Sequence, residues 1–150
     1  MAVEDPPEAT PQTPRQMKET TLLIVKPDGV RRHLIGEVLR RIEGAGLTIE
    51  DLRMETIPRD RAEEHYGEHR DKPFYAELVD FITGGPVVVA KVTGDGAISV
   101  WRELMGPTDP ADAPPGTIRG DLATEITENL VHGSDSPESA ARELKLFFGD

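Results

Sequence analysis

No cysteine occurs in this chain. Disulfides, thiolate nucleophiles and cysteine-ligated zinc are therefore excluded. Aromatic residues are scarce, at 5%, so each one near a candidate site deserves an account. Long apolar runs are missing too, and none approaches the roughly 20 residues a membrane helix needs. The opening stretch MAVEDPPEATPQTPRQMKET holds no apolar segment of the kind a secretory signal carries. The expectation is a cytoplasmic protein with no membrane association. Basic residues are outnumbered, 17 against 28 acidic ones, for a net charge of −11. A surface this acidic repels a phosphate backbone and argues against specific nucleic-acid binding. A small anionic ligand stays open, because a few converging cations can make a local positive pocket. Two familiar phosphate cradles are absent: there is no G-x-x-x-x-G-K-[ST], and no G-x-G-x-x-G follows a strand. A nucleotide would have to be held by another design.

What is present suits one domain with its own core, since the chain has 150 residues. Residues 1–19 hold four prolines and almost nothing apolar. They read as a disordered tail ahead of a domain at 20–150. Thr21 to Val25 is a short apolar run of β-formers and reads as a buried strand ending at Lys26. Leu34, Ile35, Val38, Leu39 and Ile42 recur at helical spacing, and Gly44 and Gly46 end that helix. Residues 47–57 alternate imperfectly, which predicts a strand with a bulge. Two short helices are expected over 60–70 and 74–83, a strand over 86–92, and a helix carrying Ala97, Ile98, Trp101, Leu104 and Met105. Residues 106–121, GPTDPADAPPGTIRGD, contain four prolines and three glycines. They predict a long, stiffened loop without regular structure, and ordered long loops are often functional. A short helix over 121–127, a brief strand over 129–132 and a final helix capped by Ser136 complete the pattern. Strand order does not follow from it, but helices on a sheet do.

His132 sits where the brief strand gives way to a Gly-Ser-Asp-Ser turn. A neutral imidazole is a good nucleophile near pH 7, provided that its other nitrogen is held by a fixed acceptor. Glu143 lies two turns into the next helix and could be that acceptor, with Ser134 bracing the carboxylate. Taken alone, His132 reads more readily as a turn histidine. Three cations change the balance. Lys26 ends the first strand, and Arg102 and Arg119 flank the stiff loop, where Thr108 and Thr117 offer hydroxyls. A triphosphate needs such groups converging from several directions. Phe74, at a helix start, could stack on a base without choosing among bases. Tyr66 could present its phenol. His65 and His69 are spaced i, i+4 as metal ligands can be, but HYGEH is not HExxH, and no metal site is expected there.

Five segments then stand in order: K-P-D-G-V-x-R at 26–32, H-Y-x-E-H-x-x-K-P-F at 65–74, G-P-V-V at 85–88, P-A-D-x-x-P-G-T-I-R-G-D at 110–121 and N-x-x-H-G-S-D-S-x-x-S-A-x-x-E at 129–143. Together they closely resemble the nucleoside diphosphate kinases, over about residues 20 to 148. The resemblance implies an α+β, ferredoxin-like βαββαβ fold with a four-stranded antiparallel sheet. It implies transfer of the γ-phosphate of ATP to nucleoside diphosphates, by a ping-pong route through a phosphohistidine. Mg²⁺ would come with the nucleotide phosphates and need no dedicated ligands. By the same resemblance His132 is the nucleophile, Glu143 orients it and Ser134 supports both. Lys26 contacts phosphate and the ribose 3′-hydroxyl, and Asn129 the 3′-hydroxyl. Arg102, Thr108 and Arg119 hold the phosphates, Phe74 and Ile126 flank the base, and Tyr66 lines the pocket. The family forms tetramers or hexamers, so a homo-oligomer is implied. Val92-Thr93 and Asp109 depart from the pattern without touching these positions. A non-catalytic nucleotide-binding or regulatory module on the same fold, and a protein-to-protein phosphohistidine relay, are the alternatives.

Overall fold

The computed structural model describes residues 18–126 and 128–149. Its centre is β1 (Lys18–Val25), whose last five residues are all buried. Successive strand side chains point to opposite faces, so a run with no polar break means that both faces are covered. They are. Leu23 and Val25 pack with Val38, Ile42, Ala90 and Trp101 on one face. Leu22 and Ile24 pack with Ile82, Val89, Leu144 and Phe147 on the other.

The sheet has the order β2-β3-β1-β4, with β2 (Thr48–Glu55), β3 (Val87–Asp95) and β4 (Val131–Gly133). Every pairing is antiparallel. The helices are α1 (Pro27–Arg31), α2 (Ile35–Gly44), α3 (Arg59–His65), α4 (Tyr75–Ile82), α5 (Ala97–Met105), α6 (Ile118–Leu122) and α7 (Pro137–Phe148). This is the expected βαββαβ sandwich, with α3 and α4 inserted between β2 and β3. The expected bulge is a register shift between Ile49 and Asp51.

Several expectations need correction. β1 begins at Lys18, two residues inside the expected tail, because its pairing with β3 runs on to Lys18 opposite Asp95. The rest of that tail, 1–17, lies outside the described residues. The loop over 106–121 is not free of regular structure. A 3₁₀ turn spans Pro110–Asp112, capped by Asp109 Oδ1 accepting from the Ala111 N–H. α6 follows, capped by Thr117 Oγ accepting from the Gly120 N–H at 3.0 Å. Proline at a first helical position is compatible with a turn, which a count of prolines hides. The helix expected over 121–127 is replaced by this earlier one, and Ala123 is already extended. Thr127 lies outside the described residues. β4 starts later than expected, at Val131. The Val131 N–H donates to the Asn129 carbonyl two residues back, at 2.9 Å, and Leu130 has φ +76°. That is a γ-turn, a strained conformation for a branched residue.

Gly133 is where β4 passes α5. A Cβ there would stand 2.6 Å from Trp101 Cδ1 and Nε1 and from Met105 Cε, and Trp101 is fully buried. Replacing Gly133 by Ala should destabilise the fold by about 1–3 kcal/mol through overpacking. Denaturant unfolding would read this as a lowered midpoint with an unchanged slope.

Candidate functional site

The γ-turn comes first, because it aims the histidine. Leu130 is fully buried and held on both sides. Its N–H donates to Asp28 Oδ2 at 3.0 Å, and its carbonyl accepts from the Lys26 N–H at 2.8 Å. Arg119 clamps the same segment. Its guanidinium donates to the carbonyls of Asn129 (3.3 Å), Val131 (2.7 Å) and Gly106 (2.9 Å). Thus one buried cation ties the start of the proline-rich loop to the approach of β4. Asp28 is 1% exposed. Burial raises its carboxyl pKa, and Lys26 and backbone N–H groups oppose that.

His132 follows on β4, opposite Ile24 of β1. Its Nε2 meets Glu143 Oε1 at 2.9 Å, and its carbonyl accepts from Trp101 Nε1 at 3.1 Å. Ser134 Oγ donates to the same carboxylate oxygen at 2.8 Å and accepts from the Leu22 N–H at 3.3 Å. So α7 supplies the carboxylate, β4 the imidazole and the turn between them the hydroxyl. Glu143 is 5% exposed. Burial alone would raise its pKa, but the hydrogen bond and charge of His132, helped by Ser134, hold it down to about 2. The pair is therefore a charge-assisted hydrogen bond to a buried carboxylate.

These groups open into a cavity of about 470 Å³. Lys26, Arg102, Thr108, Arg119 and Asn129 line it. Lys26 Nζ donates to Asn129 Oδ1 at 2.9 Å, and Asn129 Nδ2 to the Thr108 carbonyl at 3.3 Å. A chain of hydrogen bonds therefore joins the end of β1, the γ-turn and the loop. Burial, then the charge of Arg119, push Lys26 down to about 8, with Asp28 opposing. Burial and then Arg102 lower Arg119 to about 10. Two cations with lowered pKa values therefore stand side by side in the cavity wall. Arg102 is held by Asp135 at 2.5 Å, and both side chains are exposed enough to part. Tyr66 lines the cavity beside His65, its phenol pKa raised by burial and by Glu143. Phe74 and Ile126 line it too and are 44% and 57% exposed.

All the candidates named from the sequence meet here except Thr117, whose hydroxyl is used in capping α6 and in donating to the Pro114 carbonyl. Two contributors were missed. Asp28 stands in the K-P-D-G segment, but nothing in its spacing says that it is buried. His65 was weighed only as a metal ligand with His69. It instead packs edge-on against His132, with ring centroids 4.7 Å apart. Among the described residues, the one cluster of three metal-capable side chains is His65, His132 and Glu143, within 4.8 Å of one another. Two imidazoles and a carboxylate already bonded to one of them do not suit Mg²⁺, which prefers oxygen ligands in an octahedron.

Fold and cavity together define a ferredoxin-like α+β protein with a histidine–carboxylate pair facing a cation-lined pocket. A family model described as nucleoside diphosphate kinase matches residues 19–150. The chain is 66% identical over 131 residues to a nucleoside diphosphate kinase of Rubrobacter xylanophilus, covering 87% of this chain and 98% of that protein. It is 59% identical to one from Deinococcus radiodurans, covering 88% and 96%. Among solved structures, a halophilic nucleoside diphosphate kinase from Halobacterium salinarum in complex with CDP superposes with a TM-score of 0.86 at 47% identity, covering 89% of this chain and 90% of that one. The chain belongs to the nucleoside diphosphate kinase family.

The depressed Lys26 gives a pH prediction. A bound phosphate favours the charged ammonium, so binding takes up a proton wherever free Lys26 has lost one. Nucleotide affinity should fall as pH rises through about 8. Titration calorimetry in two buffers of different ionisation enthalpy should show proton uptake there. Lys26→Gln should abolish both effects, and uptake that persists in the variant would assign the proton elsewhere.

Proposed function

We propose that the chain moves the terminal phosphoryl group of ATP, or another nucleoside triphosphate, to nucleoside diphosphates, with His132 as the group that carries it between them. The observation that supports this most directly is the pair at the cavity wall: His132 Nε2 is taken by Glu143 at 2.9 Å. Nδ1 is then the ring nitrogen left to attack. As it attacks, the ring gains positive charge, and the buried Glu143 carboxylate stabilises that charge. Ser134 keeps the carboxylate in place. The phosphorus–oxygen bond to the departing diphosphate breaks as the nitrogen–phosphorus bond forms. A second diphosphate then takes the phosphoryl group by the reverse step.

Phosphoryl transfer asks for positioning and charge neutralisation more than for covalent chemistry. Lys26, Arg102 and Arg119 supply the positive charge, and Thr108 lines the same cavity. Asn129 and Lys26 are suited to the ribose 3′-hydroxyl. Phe74 and Ile126 can cover the two faces of a base without reading its edges, which fits a site that accepts many nucleotides. Tyr66 closes the cavity beside the histidine. Mg²⁺ belongs to the substrate here and neutralises the nucleotide phosphates. Arg102 must release Asp135 to meet a phosphate, an exchange that the exposure of both permits. The cytoplasm is the compartment that fits these substrates. A homo-oligomer is part of the same reading, supported by the exposed Leu52 and Met54 on the edge strand β2.

A non-catalytic module needs nucleotide binding but has no use for an aimed, carboxylate-held imidazole. Incubation with γ-labelled ATP should give an acid-labile, alkali-stable label on the protein, which free diphosphates discharge as the matching triphosphate. His132→Ala should take no label. Glu143→Gln should slow transfer roughly a hundredfold or more while nucleotide affinity changes little, as expected for a group used in the transition state. Rapid-quench kinetics beside equilibrium binding would check this, and parallel losses in both constants would contradict it.

A further inference from the structure

His65, at the end of α3, is given no role by the transfer proposed above. It is 4% exposed, and its Nδ1 has no hydrogen-bond partner among the described residues. An orphaned buried nitrogen in a folded protein asks for a reason. This one faces the catalytic pair, 4.0 Å from Glu143 Oε2. The ring is fixed by its neighbours: edge-on against His132 at 77°, with Tyr66 at 4.7 Å and Phe147 at 5.4 Å between centroids. Burial, reinforced by His132, lowers its pKa to about 3, so the ring is neutral near pH 7.

The Glu143 carboxylate is unevenly used. Oε1 takes both His132 and Ser134, at 2.9 and 2.8 Å. Among the described residues Oε2 faces longer contacts, His65 Nδ1 at 4.0 Å and the half-exposed Arg142 guanidinium at 3.6 Å. Neither contact is short enough to fix the twist of the carboxylate, yet the twist sets the angle at which His132 is held.

We propose that His65 is a positioning residue: in its neutral Nδ1–H tautomer it donates to Glu143 Oε2 and locks the carboxylate that aims His132. Closing the 4.0 Å gap to hydrogen-bond distance requires the carboxylate to rotate about its Cγ–Cδ bond. The other tautomer would turn a ring lone pair toward a carboxylate oxygen, which repels it. Neutrality also matters. A second cation packed against His132 would oppose the positive charge that ring gains as it takes the phosphoryl group, whereas a neutral N–H braces Glu143 without that conflict. The inference rests on His132 as carrier and Glu143 as its partner.

Neutron diffraction from deuterated wild-type crystals reads the tautomer with no turnover and no variant. A deuterium on His65 Nδ1 directed at Glu143 is expected, and a bare Nδ1 overturns the proposal. His65→Phe keeps a packed ring without a donor, and His65→Asn keeps a donor close to the Nδ1 position. In single-turnover labelling, Phe should slow phosphorylation of His132 by roughly tenfold while nucleotide Kd stays within about twofold, and Asn should regain at least about threefold of that loss. A Phe variant as fast as wild type, or an Asn variant no faster than Phe, overturns it. Failure of the underlying reading is distinct, because then wild-type protein would carry no label on His132 at all.

Discussion

The γ-turn at Leu130 is the constraint on which the site depends. It places a branched residue at φ +76°, a conformation that costs on the order of 1–3 kcal/mol. Such strain persists only where the surroundings over-determine it. Here they do: Asp28 and the Lys26 backbone fix both polar groups of Leu130, its side chain is wholly buried, and Arg119 grips the carbonyls on either side. The turn shortens β4 to three residues. It thereby sets His132 opposite Ile24 with its ring toward Glu143, and leaves Asn129 beside Lys26. Lys26 and Arg119, which help to force the turn, also line the pocket. Positioning of the imidazole and positioning of the cations are one structural event.

Charge follows the same economy of parts. The chain is strongly acidic overall, with net charge −11, yet two buried cations adjoin the histidine. Burial lowers the pKa of both, and neither is fully compensated by the protein: Asp28 and backbone carbonyls do part of the work. In the proposed function a polyphosphate supplies the rest. The acidic exterior and the cationic pocket are compatible because effective charge interactions are short-ranged in salt, about 8 Å at physiological ionic strength.

Much of this was legible in the sequence, for identifiable reasons. The β1 run Leu22 to Val25 has no polar break, so it had to be covered on both faces. The helical stripes of α2 and α5 repeat cleanly, and Ser136-Pro137 announces α7. His132, Glu143 and Ser134 lie on adjoining elements, so their meeting could be argued from connection alone. Other features were not local. Asp28 is buried where it accepts from the N–H of Leu130, 102 residues on. Arg119 reads as a phosphate ligand, but its three hydrogen bonds are to backbone carbonyls that no spacing predicts. His65 meets His132 across the fold, and its pairing with His69 in HYGEH pointed elsewhere. The proline-rich loop holds more regular structure than its proline content implies, because proline at a helix start is a fixed, helix-compatible dihedral.

The central claim is that Glu143 holds one ring nitrogen of His132 so that the other carries the phosphoryl group. A crystal structure of the protein after brief reaction with ATP and removal of nucleotide tests it directly. Phosphorus bonded to Nδ1, with Nε2 still against Glu143, is the result the account predicts. Phosphorus on Nε2, or on any residue other than His132, would contradict it.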